Sequence, residues 1–220
     1  MTRTHWASAT AVALALLFAG GATLASAGDG DGGAGRADAP TAESADAGFA
    51  RDMSVHHQQA VEMSFVVRDR TDDEEVRRLA YDIANTQANQ RGMMLGWLDL
   101  WGLPKVAPDA EPMAWMAGDG KDPHAGHSMA KAGEGSLMPG MATADQLARL
   151  GRLSGEKAEI EYLQLMIVHH NGGVDMAEGC VRLCTVGPER ELARGMVDAQ
   201  RSEVELMVDL LRKRGAQVRT

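Results

Sequence analysis

A chain of 220 residues that repeats itself at an offset of 113 has little freedom in its architecture. Met53-Ser54-Val55-His56-His57 returns as Met166-Ile167-Val168-His169-His170. The register holds without a gap on either side. Phe49 falls on Tyr162, Val61 on Val174, Glu62 on Asp175 and Met63 on Met176. Further on, Leu79 falls on Leu192, Ile83 on Met196, Gln87 on Gln200, Met94 on Met207, Leu98 on Leu211 and Gly102 on Gly215. One structural unit is therefore used twice, and each copy carries Met and paired His near its start.

The period inside each copy is helical. On a wheel of about 100° per residue, Phe49, Met53, His56, Ala60, Met63 and Val67 share one stripe, with His57 at its edge. The second copy repeats it as Tyr162, Met166, His169, Gly173, Met176 and Cys180. Each is followed by a second stripe: Ile83, Gln87, Gln90, Met94, Trp97 and Trp101, then Met196, Gln200, Glu203, Met207 and Leu210. Thr71-Asp72-Asp73-Glu74 reads as a capping box, Thr143 to Gln146 caps a further short helix, Gly102 and Gly215 are stop signals, and Pro188 suits a first helical turn. Two hairpins with short turns predict an all-α, antiparallel four-helix bundle. The hairpins span 44–102 and 143–215, one domain joined by a Pro/Gly-rich connection at 103–142 that reads as flexible.

The N-terminus reads as an export signal. Arg3 precedes an apolar run from Trp6 to Ala22, and Ala25-Ser26-Ala27 is a small-residue cleavage site. Cleavage after Ala27 leaves a Gly- and Asp-rich tether at 28–43 and takes the net charge from −9 to −10. The alternative is an uncleaved anchor, the one way this chain would hold a membrane. Either reading puts the remainder outside the cytoplasm. The acidic balance lacks the basic face that nucleic acid needs.

Imidazole and thioether together form a ligand set for copper, above all Cu(I). The bland alternative is a buried network in which His56 and His169 bond to Gln87, Gln90, Gln200 and Glu203 and fix register. Two aligned His-His pairs, each flanked by Met, favour the metal. The connection adds His124, His127 and Met129 within six residues, as in short His-rich metal tracts, and then Met138 and Met141. Cys180 and Cys184, the only cysteines, read either as a disulfide or as a thiolate pair for a soft metal. No Glu stands three residues before a His, which argues against a carboxylate-bridged di-iron centre. No His-Glu-x-x-His motif, triad context or phosphate-cradling loop is present, so the chain reads as non-enzymatic.

Met53–Met63, Met166–Met176, Met138-Pro139-Gly140-Met141 with the capped Thr143 helix, and Gln200-x-x-Glu203-x-x-x-Met207 resemble the domain-of-unknown-function family 305 over residues 44–214. The resemblance implies a secreted or periplasmic bundle of ferritin-like type, with copper-associated members. It implies sites on Met53, His56, His57, Met63, Met166, His169, His170, Met176, Glu203 and Met207. The chain departs from that pattern in carrying Gln90 where Glu is favoured, and in Cys180 and Cys184. The expectation is an exported protein that sequesters copper ions or passes them to another extracytoplasmic copper protein. The alternative is a metal-free interaction module.

Overall fold

The computed structural model describes residues 39–117, 133 and 135–219. The export segment, most of the tether, and His124, His127 and Met129 lie outside the described residues. Five α-helices and one 3-10 turn, Ala114–Ala117, are present, with no strand among the described residues.

Local chemistry sets each boundary. Helix α1, Ala45–Arg68, starts at Ser44, whose hydroxyl accepts from the Ala47 N–H. Helix α2, Glu74–Trp101, is capped by Asp73, which accepts from the Val76 N–H, and ends at Gly102 with φ 68°. The capping box expected at Thr71 does not form, and the cap lies two residues further on. Asp73 takes the cap, while the Thr71 hydroxyl accepts from the Asp73 N–H and donates to Glu159. Helix α3, Ala144–Arg152, has the capping box of Thr143 and Gln146 read from its sequence. Helices α4, Glu156–Leu183, and α5, Gly187–Lys213, complete the second hairpin, with Pro188 in the first turn of α5.

α1 packs along α2, and α4 along α5; α1 and α4 form the inner pair, whereas α2 and α5 barely meet. The inner pair is antiparallel, as two reciprocal contacts show. Asp46, at the start of α1, accepts from Thr185 N–H, Val186 N–H and the Thr185 hydroxyl in the α4–α5 turn. Its counterpart Glu159, at the start of α4, accepts from Thr71 in the α1–α2 turn and from Arg214. Each copy's opening acid therefore closes the other copy's turn. Asp46 is 2 % exposed, so Asp46→Ala strands buried donors. We expect it to cost about 2 kcal/mol in urea unfolding.

The apolar interior divides into two clusters related by the repeat. One holds Met63, Met166 and Met207 with Tyr162, Leu163 and Leu210. The other holds their counterparts Met176, Met53 and Met94 with Phe49, Leu98 and the bonded pair Cys180–Cys184. All six methionines have no exposed surface.

The described parts of the connection pack onto this frame. Asp52 accepts from the Met113 and Trp115 N–H groups, at 2.7 and 2.9 Å. Trp115 lies so close over Gly48 that a Cβ there would be 2.5 Å from it. Residues 138–142 lie across the inner pair: Gln59 bonds both backbone groups of Ala142, and Gly172 admits the Pro139 carbonyl.

Candidate metal centre

A polar layer separates the two methionine clusters. Its members come from all four long helices, at positions that the repeat sets 113 apart. His56 and His57 on α1, and His169 and His170 on α4, are all fully buried. His57 is thus more enclosed than its place at the edge of the stripe suggested, because Gln90 of α2 reaches it.

Each imidazole is held through the same nitrogen. Nε2 of His56 donates to the Pro139 carbonyl at 3.3 Å, and Nε2 of His169 to the His56 carbonyl at 3.0 Å. Nε2 of His57 donates to Gln90 Oε1 at 2.9 Å, and Nε2 of His170 to Glu203 Oε2 at 2.8 Å. An oxygen acceptor at Nε2 fixes the proton there and leaves Nδ1 as a bare lone pair. All four Nδ1 atoms are buried without a partner. The amides of Gln87 and Gln200 are likewise buried with neither oxygen nor nitrogen paired. Native interiors rarely leave polar atoms so. One ring nitrogen donated to an oxygen and the other free is also how metal-bound imidazoles are oriented.

The electrostatics keep three of these lone pairs, on His56, His57 and His169, available. Burial, with the neighbouring imidazoles next, pushes His57 down to about 3. Burial likewise lowers His56 to about 3 against the opposing bond to Pro139, and holds His169 well below the usual imidazole range. The rings of His56 and His169 stack with centroids 3.8 Å apart and a 33° tilt, and two cations would not sit there. Neutral imidazole is the ligating form.

Among the described residues, the one group of three His, Cys, Asp or Glu ligand atoms lying within 4.8 Å of one another is Cys180, Cys184 and Glu189. A metal in the histidine layer would therefore draw on few imidazoles at once, together with thioether sulfur. Low coordination by soft sulfur and imidazole suits Cu(I), so the residues present fit that ion.

The structure places Met53, Met63, Met166, Met176 and Met207 in the clusters flanking the layer. Glu203 is 24 % exposed, and its observed contact is with His170; it orients that ring as Gln90 orients His57. Sequence reasoning named the opposed amides but not the Pro139 carbonyl. The only signal for the latter was the Met138–Met141 motif itself. Met94 completes its trio through the repeat alone.

The family described as Domain of unknown function (DUF305) matches residues 46–211. A DUF305 protein from Streptomyces coelicolor assigned as secreted is 63% identical, with a TM-score of 0.72, covering 82% of this chain and 99% of that one. A DUF305 fragment from Deinococcus radiodurans is 30% identical, with a TM-score of 0.60, covering 77% and 96% respectively. CopM, solved with Cu(I) bound, is 20% identical, with a TM-score of 0.57, covering 76% and 96%, and shares the fold. CopM has also been solved with Cu(II) and with Ag bound. No curated protein matches the chain.

Proposed function

We propose that this chain, which belongs to the DUF305 family, is an exported, non-enzymatic protein that binds copper in its histidine layer and sequesters it or passes it to another extracytoplasmic copper protein. The observation that carries this reading is the set of four buried Nδ1 lone pairs, each on a ring anchored through Nε2 to an oxygen. His56, His57, His169 and His170 would supply nitrogen. Met53, Met176, Met63, Met166 and Met207 would supply soft sulfur from either side, and Glu203 and Gln90 would hold the rings. Bound there, copper would be enclosed from solvent. Four rings without solvent exposure suit storage better than turnover. The copper-bound CopM structures support the metal, and the Streptomyces coelicolor relative supports export. No described helix is long and apolar enough to cross a membrane.

The test is anaerobic competition for Cu(I) against a chromophoric chelator. The wild-type chain is expected to take at least one equivalent. His56→Ala combined with His169→Ala is expected to weaken the competition at least about tenfold, as loss of supporting groups alone does at other metal sites. A second readout separates this from a purely structural role, which the His57–Gln90 and His170–Glu203 bonds favour. Copper at about 100 times Kd should stabilise wild type by about 2.7 kcal/mol, and the double variant should lose that gain. A copper-independent melting temperature in the wild type would leave the histidines as internal staples.

A further inference from the structure

The α4–α5 turn carries a donor set that the fold does not require. Cys180 lies in the last turn of α4, Cys184 is its C-cap, and Glu189 lies in the first turn of α5. The two sulfurs and a carboxylate oxygen lie within 4.8 Å of one another. Glu189 has no exposed surface, and neither of its oxygens has a hydrogen-bond partner.

The repeat supplies an internal control. The first copy solves the same place with Val67, Thr71 and Val76, at the positions of Cys180, Cys184 and Glu189. Val67 and Val76 are fully buried. Packing there is thus satisfied by valine, and a buried, unpaired carboxyl in its stead is costly. Beside it Asp46 brings a second acid, committed to Thr185 and Val186.

We infer that reduction of the Cys180–Cys184 disulfide converts this corner into a second soft-cation site, formed by two thiolate sulfurs and the Glu189 carboxylate. A dithiol reductant supplies two electrons and two protons. The S–S bond breaks, two thiols form, and the reductant leaves as its own disulfide. A thiophilic d10 cation then displaces both thiol protons and the Glu189 carboxyl proton as it binds. Sulfur donors select ions of the Cu(I) and Zn(II) class. In the oxidised protein neither sulfur is a thiolate, so the site is closed. The histidine layer uses different residues, and the two sites stand or fall separately.

The experiment uses the full chain and Cd(II), which binds thiolate without oxidising it. The protein is reduced with dithiothreitol, freed of it anaerobically, and titrated. Reduced protein should take one Cd(II) more than oxidised protein, with thiolate-to-metal charge-transfer absorption. Cys180→Ser with Cys184→Ser should abolish that equivalent and leave Cu(I) uptake by the histidine layer unchanged. Glu189→Gln should weaken Cd(II) at least about tenfold, the loss typical of even indirect ligand support. Without any variant, bound Cd(II) should protect both cysteines of reduced wild type from iodoacetamide, read by intact mass. Equal Cd(II) uptake by oxidised and reduced protein, full alkylation in its presence, or unchanged affinity in Glu189→Gln would each overturn the assignment.

Discussion

Gly172→Ala is expected to remove about 3 kcal/mol of stability, the upper range for forcing atoms into a packed interior. In a domain of this size that is about 6–12 °C in melting temperature. The reason is what the new methyl would meet. A Cβ at Gly172 would fall 2.7 Å from the Pro139 carbonyl carbon, 2.9 Å from Gly140 Cα, and nearer still to the Pro139 oxygen. These are backbone atoms, and Gly140 itself sits at φ 80° against Val168 and Gly172. No rotamer change relieves the overlap, so residues 138–142 must lift. Lifting them breaks the His56 Nε2 bond to Pro139 and uncovers Met138, which is 1 % exposed. Cu(I) affinity should therefore fall with stability. Gly92→Ala is the control, since nothing lies within 4 Å of its Cβ. There the better helix former should stabilise by up to about 1 kcal/mol. Urea unfolding of both variants, giving opposite signs, checks the account; equal stability of Gly172→Ala and wild type would refute it.

The second large effect is a stability maximum at about pH 7 in the metal-free protein. His56 and His57 drop to about 3 in the fold, and His169 is held well below its ordinary value, burial being the main cause each time. A histidine lowered by folding contributes stability that is complete above its unfolded value of about 6.5. That contribution is lost as pH falls towards the folded value. His56 and His57 together remove about 4 kcal/mol between pH 7 and pH 5, and His169 acts in the same direction. Glu189 acts in the opposite sense. Burial, with the Asp46 acid beside it, pushes its carboxyl up to about 9. It keeps its proton in the fold, so its contribution is complete below about 4.5 and declines as pH rises to about 9. Acidification to pH 5 returns about 3 kcal/mol of this. A net loss remains at pH 5, and Glu189→Gln should deepen it by about 3 kcal/mol while flattening the alkaline side. Urea midpoints from pH 5 to pH 9 measure both slopes. A flat profile on the acid side in both proteins would mean that the imidazoles are not held neutral by the fold.

Much of this arrangement was legible because its causes are local or periodic. The repeat placed four helices, and the wheel put His56, His169 and the methionines on inner faces. Thr143, Gly102 and Gly215 acted as their chemistry dictates. Thr71 differs from the expected cap because Asp73, two residues on, satisfies the helix while a distant partner, Glu159, claims the threonine. Contacts of that kind have no signature in the chain. The same holds for Pro139 over His56, for Trp115 over Gly48, and for the Glu189 carboxyl that joins the cysteine corner. The depth of His57 depended on how far Gln90 reaches from another helix. The choice between disulfide and thiols at Cys180 and Cys184, open in the sequence, is resolved here as a bonded pair.

The crossed acids, Asp46 on the second copy's turn and Glu159 on the first copy's, carry a consequence for how such a chain can come apart or arise. Each hairpin borrows from the other an acid that closes its bend, so a solitary copy would leave donors in that turn without a partner. The halves must melt as one body. A single-hairpin forerunner would have needed a twin molecule, gripping it wrist to wrist, before fusion made the grip internal.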